Sequence, residues 1–124
     1  MIADRPLSIV VCDDNIDIAD SLTLILSGLG YRVMTAYSGR DAVAATERAM
    51  PDVALLDIGM PDLDGYEVAR RIRAMPTGSG IKLFAVTGYG SAADKQKASE
   101  AGFNMHFTKP VNLPALESIL GAVV

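Results

Sequence analysis

The chain has 124 residues, enough for one domain with one core; half are hydrophobic, which argues against disorder. The formal net charge of -4 argues against a nucleic-acid-binding surface, where clustered Lys and Arg are expected. One cysteine, Cys12, cannot form an internal disulfide, and with one histidine, His106, it cannot supply a four-ligand zinc site of N and S donors.

The start MIADRPL is too short and too polar for a signal peptide, and the apolar stretches fall far short of a membrane span. A soluble protein of a reducing, cytoplasmic compartment, with no direct contact to membrane or nucleic acid, is therefore expected. In chain order, Leu7 to Cys12 reads as a first strand. A helix follows in which Ile18, Leu22, Ile25, Leu26 and Leu29 share one face, with Gly30 as its stop. Arg32 to Ala36 is a second strand, and Ser38 caps a helix from Gly39 to about Met50, ended by Pro51. Val53 to Asp57 is a third strand, and Val68, Ala69 and Ile72 mark a helix from about Gly65 to Met75. Gly78 to Gly80 reads as a flexible loop before a fourth strand, Lys82 to Thr87. A helix over Ala92 to Ala101 then ends at Gly102. Met105 to Thr108 is the fifth strand, and Asn112 caps a last helix marked by Leu113, Leu116, Leu120 and Val123, with Pro114 in its first turn.

Five strands alternating with five helices imply βα units and a parallel sheet with helices on both faces. Runs such as VALL (Val53 to Leu56) and LFAV (Leu83 to Val86) suit strands buried on both sides. A closed barrel needs eight units, so the expected fold is a doubly wound sheet, with ligands at the carboxyl ends of the strands.

The residues at those strand ends carry chemistry. The first strand delivers Asp13 and Asp14, the third ends at Asp57, the fourth at Thr87, and the fifth delivers Lys109 before Pro110. Only the second strand contributes nothing ionisable or nucleophilic. Three carboxylates gathered in one place repel one another and lose hydration, so they need a cation. Hard oxygen donors in a shallow cleft suit Mg²⁺ or Mn²⁺, which reverses that repulsion. A lysine can pair with a carboxylate or a phosphoryl group, and a threonine hydroxyl can donate to a phosphoryl oxygen. These parts describe phosphoryl transfer, with an aspartate able to act as nucleophile.

The set VVCDDN, LLDIGMPDLDGYEVARRIR, AVTGYG and AGFNMHFTKP, in this order and spacing over essentially the whole chain, resembles the receiver domains of two-component and phosphorelay signalling. The resemblance implies an α/β flavodoxin-like fold, a doubly wound (βα)5 unit with a five-stranded parallel sheet of order 2-1-3-4-5, over residues 1–124. It implies that Asp57 accepts a phosphoryl group from a phosphohistidine on a partner histidine kinase or histidine phosphotransfer protein. Asp14, Asp57 and the backbone carbonyl of Gly59 would ligate Mg²⁺, and Asp13 would act mainly through metal-bound water. Lys109 would pair first with the carboxylate and then with the phosphoryl group. Thr87 would swing toward a phosphoryl oxygen and report phosphorylation. Lys109 and Pro110 would be joined by a cis peptide.

Three residues before Lys109 the family often has a Tyr or Phe that acts as a switch; here it is His106, as in receivers attached to hybrid sensor kinases. Strand alternation places His106 outward beside the fourth helix as a partly exposed imidazole, and metal binding by it is not expected. Gly59 and Tyr89 flank the path of the water that would hydrolyse an acyl phosphate: Gly59 offers no side chain, while Tyr89 is bulky. The fourth helix, SAADKQKASEA, has only small apolar residues, so weak packing is expected. The face formed by the fourth helix, fifth strand and fifth helix is then the expected signalling surface, and a weak homodimer could use it.

Other residues read more plainly. Cys12 reads as a small buried hydrophobe. Asp17, Asp20 and Asp41 read as helix first-turn acids, Asp62 and Asp64 as loop residues, and Arg70, Arg71 and Arg73 as a solvated face. Rival functions are a Mg²⁺-dependent aspartyl-phosphate phosphohydrolase, a flavin module on the same fold, and a degenerate receiver that acts by binding alone. The hydrolase would want an acid two residues after Asp57, where Gly59 stands. The flavin module would want a hydroxyl-rich or glycine-rich phosphate loop where Asp13 and Asp14 stand.

Overall fold

Alternating β-branched runs and helical periodicity resolve into five parallel strands: β1 (Ser8–Cys12), β2 (Arg32–Ala36), β3 (Val53–Asp57), β4 (Lys82–Thr87) and β5 (Met105–Thr108). The computed structural model describes residues 6–88 and 92–123; Tyr89 lies outside them. The strands pair in the order β2-β1-β3-β4-β5, in register Val10 to Met34 and Ala54, Leu55 to Phe84, and Ala85 to His106. The helices are α1 (Ile16–Gly28), α2 (Gly39–Ala49), α3 (Gly65–Arg73), α4 (Ala92–Ala101) and α5 (Leu113–Gly121). This is the expected α/β flavodoxin-like architecture.

The strand period of two divides the core. Val10, Cys12, Ala54, Leu56, Leu83 and Ala85 pack with α2, α3 and α4 on one side of the sheet. Ile9, Val11, Leu55, Phe84, Val86 and Phe107 pack with α1 and α5 on the other. Side-chain caps fix the helix starts: Asn15 accepts from Ile18 N, Ser38 from Asp41 N, Asp64 from Glu67 N and Asn112 from Ala115 N.

The structure corrects several sequence expectations. β1 begins at Ser8 rather than Leu7, and α3 ends at Arg73 rather than near Met75. α1 buries only part of its apolar face: Ala19 and Leu26 are buried and Leu22 is half-buried, but Ile18, Ile25 and Leu29 are exposed. Ile25 and Leu29 border an open groove between α1 and α5, lined also by Leu113 and Pro114, and Ile18 opens onto the cleft at the strand ends. Gly78–Gly80 is a 3₁₀ turn rather than a loose loop, with Gly78 packed under the Ile72 carbonyl, where any Cβ would collide. Asp20 is not a first-turn residue; it accepts a 2.6 Å hydrogen bond from the Tyr37 hydroxyl.

Arg73 is the largest correction. Arg70 and Arg71 pair with Glu67 on the surface, as a solvated face would. Arg73 turns inward, and all five of its N–H bonds are used. Nε and Nη2 donate to the Gly102 carbonyl at 3.0 and 2.7 Å. Nη1 donates to the Gly78 and Ile81 carbonyls at 2.7 and 2.6 Å, and Nη2 also to Asn104 Oδ1 at 2.8 Å. Asn104 Oδ1 in turn accepts from Leu83 N at 2.8 Å. One guanidinium thus ties the end of α3, the entries to β4 and β5, and the end of α4.

α4 itself closes with Gly102 in a left-handed conformation (φ +108°), Gly102 N donating to the Ser99 carbonyl and Phe103 N to the Ala98 carbonyl. Among its described side chains the buried ones are small, Ala98 and Ala101. Lys97 lies 4.9 Å from the centre of the Tyr66 ring.

Candidate functional site

Each acid is delivered by the end of a buried strand. β1 carries the chain to Asp13, whose N–H donates to the Ala36 carbonyl of β2 at 3.2 Å. Asn15, the α1 cap, then donates its own N–H to Asp13 Oδ1 at 2.9 Å. Asp57 is the last residue of β3, and Ile58 N donates to the Val86 carbonyl of β4 at 2.9 Å, which fixes the exit of the strand. On the far side, Lys109 N donates to the Thr87 carbonyl at 2.7 Å, so the backbone of the lysine is tied to the residue that ends β4. The Lys109–Pro110 peptide bond is cis.

The segment between Asp57 and α3 is shaped by glycine at two close approaches. A Cβ on Gly65 would stand 2.7 Å from the Asp57 carbonyl oxygen, and one on Gly39 would run into the Leu63 carbonyl. Arg40 pairs with Asp62 at 2.7 Å across the same junction, and Asp64 caps α3. Asp62 thus serves the loop and Asp64 the start of α3.

These elements converge on a cleft of about 530 Å³, lined by Asp13, Asp14, Asp57, Gly59, Thr87 and Lys109 and also by Asn15, Ile18 and Gly88. Asp13, Asp57 and Thr87 are buried and Asp14 is exposed. One carboxylate oxygen from each of Asp13, Asp14 and Asp57 lies within 4.8 Å of the others. Lys109 Nζ stands 3.1 Å from Asp13 Oδ2 and 3.4 Å from Asp57 Oδ1, and Gly59 N donates to Asp57 Oδ1 at 3.2 Å. His106 is not in this cleft; it lies on β5 against α4.

The electrostatics follow from burial. Desolvation, then the charge of Asp13, pushes the Asp57 carboxyl above its ordinary range, against the pull of the Gly59 N–H and Lys109. Burial draws the Lys109 ammonium down, but the Asp13 and Asp57 carboxylates outweigh it and hold the ammonium above its ordinary value. Burial, then Asp13 and Asp57, drives the Cys12 thiol up to about 12. Its Sγ rests 3.2 Å from the Ser38 carbonyl and 3.3 Å from Met60 Sδ, so Cys12 is a packed core group and not a nucleophile.

One lysine among three acids leaves the cluster short of positive charge. Three carboxylates in a cleft open to water are the donor chemistry that Mg²⁺ or Mn²⁺ takes, so the residues present fit such an ion. Asn15 and Ile18 were not singled out as cleft residues from the sequence. The Asn15 signal was available, since Asn directly after two acids and before an apolar periodic run is a helix cap.

The family model of the response regulator receiver domain matches residues 9–121. The chain belongs to the receiver-domain family. Its relatives include the response regulator MprA of Mycolicibacterium vanbaalenii, 36% identical over 115 residues that cover 93% of this chain and 48% of that protein. The chain therefore spans about half the length of that regulator. Among solved structures, the Vibrio cholerae chemotaxis protein CheY4 superposes with a TM-score of 0.91 at 28% identity, covering 97% of this chain and all of that one. The receiver domain of the Pseudomonas aeruginosa sensor histidine kinase PA1611 superposes with a TM-score of 0.86 at 32% identity, covering 95% and 97%, and that structure has a magnesium ion coordinated in its active-site cleft. This receiver is thus a module of two-component signalling. No helix among its described residues is long and apolar enough to cross a membrane.

Proposed function

We propose that this receiver is a phosphorylation switch in which Asp57 accepts a phosphoryl group from a phosphohistidine on a histidine kinase or histidine phosphotransfer protein. The observation that carries this reading is the placement of Asp57 beside Lys109, Asp13 and Asp14 in one cleft. An Asp57 carboxylate oxygen attacks phosphorus as the P–N bond breaks, and the bonding electron pair returns to the imidazole nitrogen of the donor. Asp13, Asp14, Asp57 and the Gly59 backbone carbonyl would hold Mg²⁺, which supplies neutralisation of phosphoryl charge. Lys109 moves its hydrogen bond from the carboxylate to a phosphoryl oxygen, and the Thr87 hydroxyl donates to another. The withdrawal of Thr87 toward the cleft biases α4, β5 and α5, with His106 in the position of the aromatic switch. Residues 1–124 form one receiver domain that works in the cytoplasm, self-associates at most weakly through that face, and promotes its own phosphorylation and dephosphorylation without turning over a small substrate. Gly59, which brings no acid two residues after Asp57, counts against a phosphohydrolase.

Intact-protein mass after incubation with Mg²⁺ and acetyl phosphate tests this. An adduct of one phosphoryl group, absent in Asp57→Ala and in chelator, is the expected result. Sustained hydrolysis of a small phosphoester that disappears in Asp57→Ala would favour the hydrolase. Loss of adduct with Mg²⁺ binding intact would favour a receiver that signals by binding.

A further inference from the structure

Phe107 of β5 points into the core shared with α1 and α5, so His106 before it points to the opposite side, toward α4. Its neighbour in register on β4 is Ala85, which leaves the imidazole room against the sheet. His106 is half-buried, but its Nε2 atom is wholly buried and has no hydrogen-bond partner among the described residues. It borders a small cavity of about 170 Å³ between α4 (Lys95, Ala98 and Ser99) and the chain entering β5 (Phe103 to Met105).

The charged groups that act on the imidazole are both on α4: Lys95, which opposes a second cation, and Asp94, which favours one. The rest of the cavity lining is uncharged. A neutral imidazole can leave one nitrogen without a donor at modest cost. An imidazolium cannot, because both nitrogens then carry N–H bonds that need acceptors.

α4 is able to respond. Ala98 and Ala101 bury only methyl groups, and the firm attachment is at the far end, where Arg73 holds Gly102. We propose that protonation of His106 displaces α4 from β5, so that this face of the receiver changes arrangement with pH as well as with the chemistry of the cleft. Burial, then Lys95, holds the imidazole below its ordinary value against the pull of Asp94. The observed arrangement therefore binds the proton less tightly than a displaced or unfolded one. It loses stability as pH falls through the ordinary imidazole range and keeps it above that range.

His106 is the only histidine in the sequence, so its ring signals in an NMR pH titration need no assignment. The expected result has three parts. The ring titrates below the ordinary value near 6.5. The backbone amides of Lys95, Ala98 and Ser99 shift with the same midpoint. Their hydrogen exchange, corrected for intrinsic chemistry, becomes several-fold faster on the acid side of that midpoint. In His106→Phe both the shifts and the acceleration disappear. An ordinary midpoint, or α4 amides whose exchange ignores the titration, or an acceleration that survives in His106→Phe, would overturn the proposal.

Discussion

The Lys109 ammonium stands 3.4 Å from Asp57 Oδ1, yet its shorter contact, 3.1 Å, is with Asp13. The lysine therefore bridges two buried acids instead of serving Asp57 alone. Each acid receives part of one positive charge, and the pair stays under-compensated.

Asp57 should weigh on the fold at neutral pH. Burial and then Asp13 raise its carboxyl above the ordinary range, so the native state binds this proton more tightly than the unfolded chain. Stability from such a group is present below the ordinary carboxyl value and is lost as pH rises through the native one. In chelator at pH 7, Asp57→Asn is expected to gain about 1 kcal/mol, a rise in Tm of roughly 3–5 °C. The gain should shrink toward pH 4. A variant that is less stable at pH 7 would show that Lys109 already compensates the site in full.

Lys109 pairs with two of the three carboxylates, Asp13 and Asp57, that a divalent cation would draw on. Lys109→Met should tighten Mg²⁺ binding several-fold, because the competing ammonium is gone. It should also slow formation of the phosphoryl adduct, because a donor to the phosphoryl oxygen is gone. Isothermal titration and time-resolved intact mass measure the two effects separately, and weaker Mg²⁺ binding would contradict the competition.

Arg73→Met takes a donor from the carbonyls of Gly78, Ile81 and Gly102 in a partly buried place. A cost of about 3 kcal/mol is expected in urea unfolding, and Arg73→Lys should recover only part of it, since an ammonium cannot span the same fork. Full rescue by lysine would mean that charge, and not the geometry of the fork, holds α4.

Thr46 is fully buried in α2 and its hydroxyl has no partner among the described residues. Thr46→Val keeps the shape and removes that group, so a gain of roughly 0.5–1 kcal/mol is expected in thermal unfolding. A loss would mean that the hydroxyl finds a partner in solution.

The strand ends were legible because short, mostly apolar runs give way to polar side chains at Asp13, Asp57, Thr87 and Lys109, and a parallel sheet sends all such ends to one edge. The caps Ser38 and Asn112 were legible because only short polar side chains serve there. Arg73 was not, since a helix pattern cannot tell a surface arginine from one bent back onto carbonyls distant in sequence. The exposure of Ile18, Ile25 and Leu29 was hidden for a similar reason: periodicity shows an apolar face but not how much of it a neighbouring element covers. The half-buried His106 followed from strand alternation, but the orphaned Nε2 did not, because it depends on how closely α4 approaches β5.

The central claim is that Asp57, and neither Asp13 nor Asp14, accepts the phosphoryl group. Borohydride reduction of the protein after treatment with Mg²⁺ and acetyl phosphate converts an aspartyl phosphate to homoserine, and peptide mass mapping then locates it. Homoserine at position 57 alone is the predicted result; homoserine at position 13 or 14, with Asp57 intact, would contradict the account.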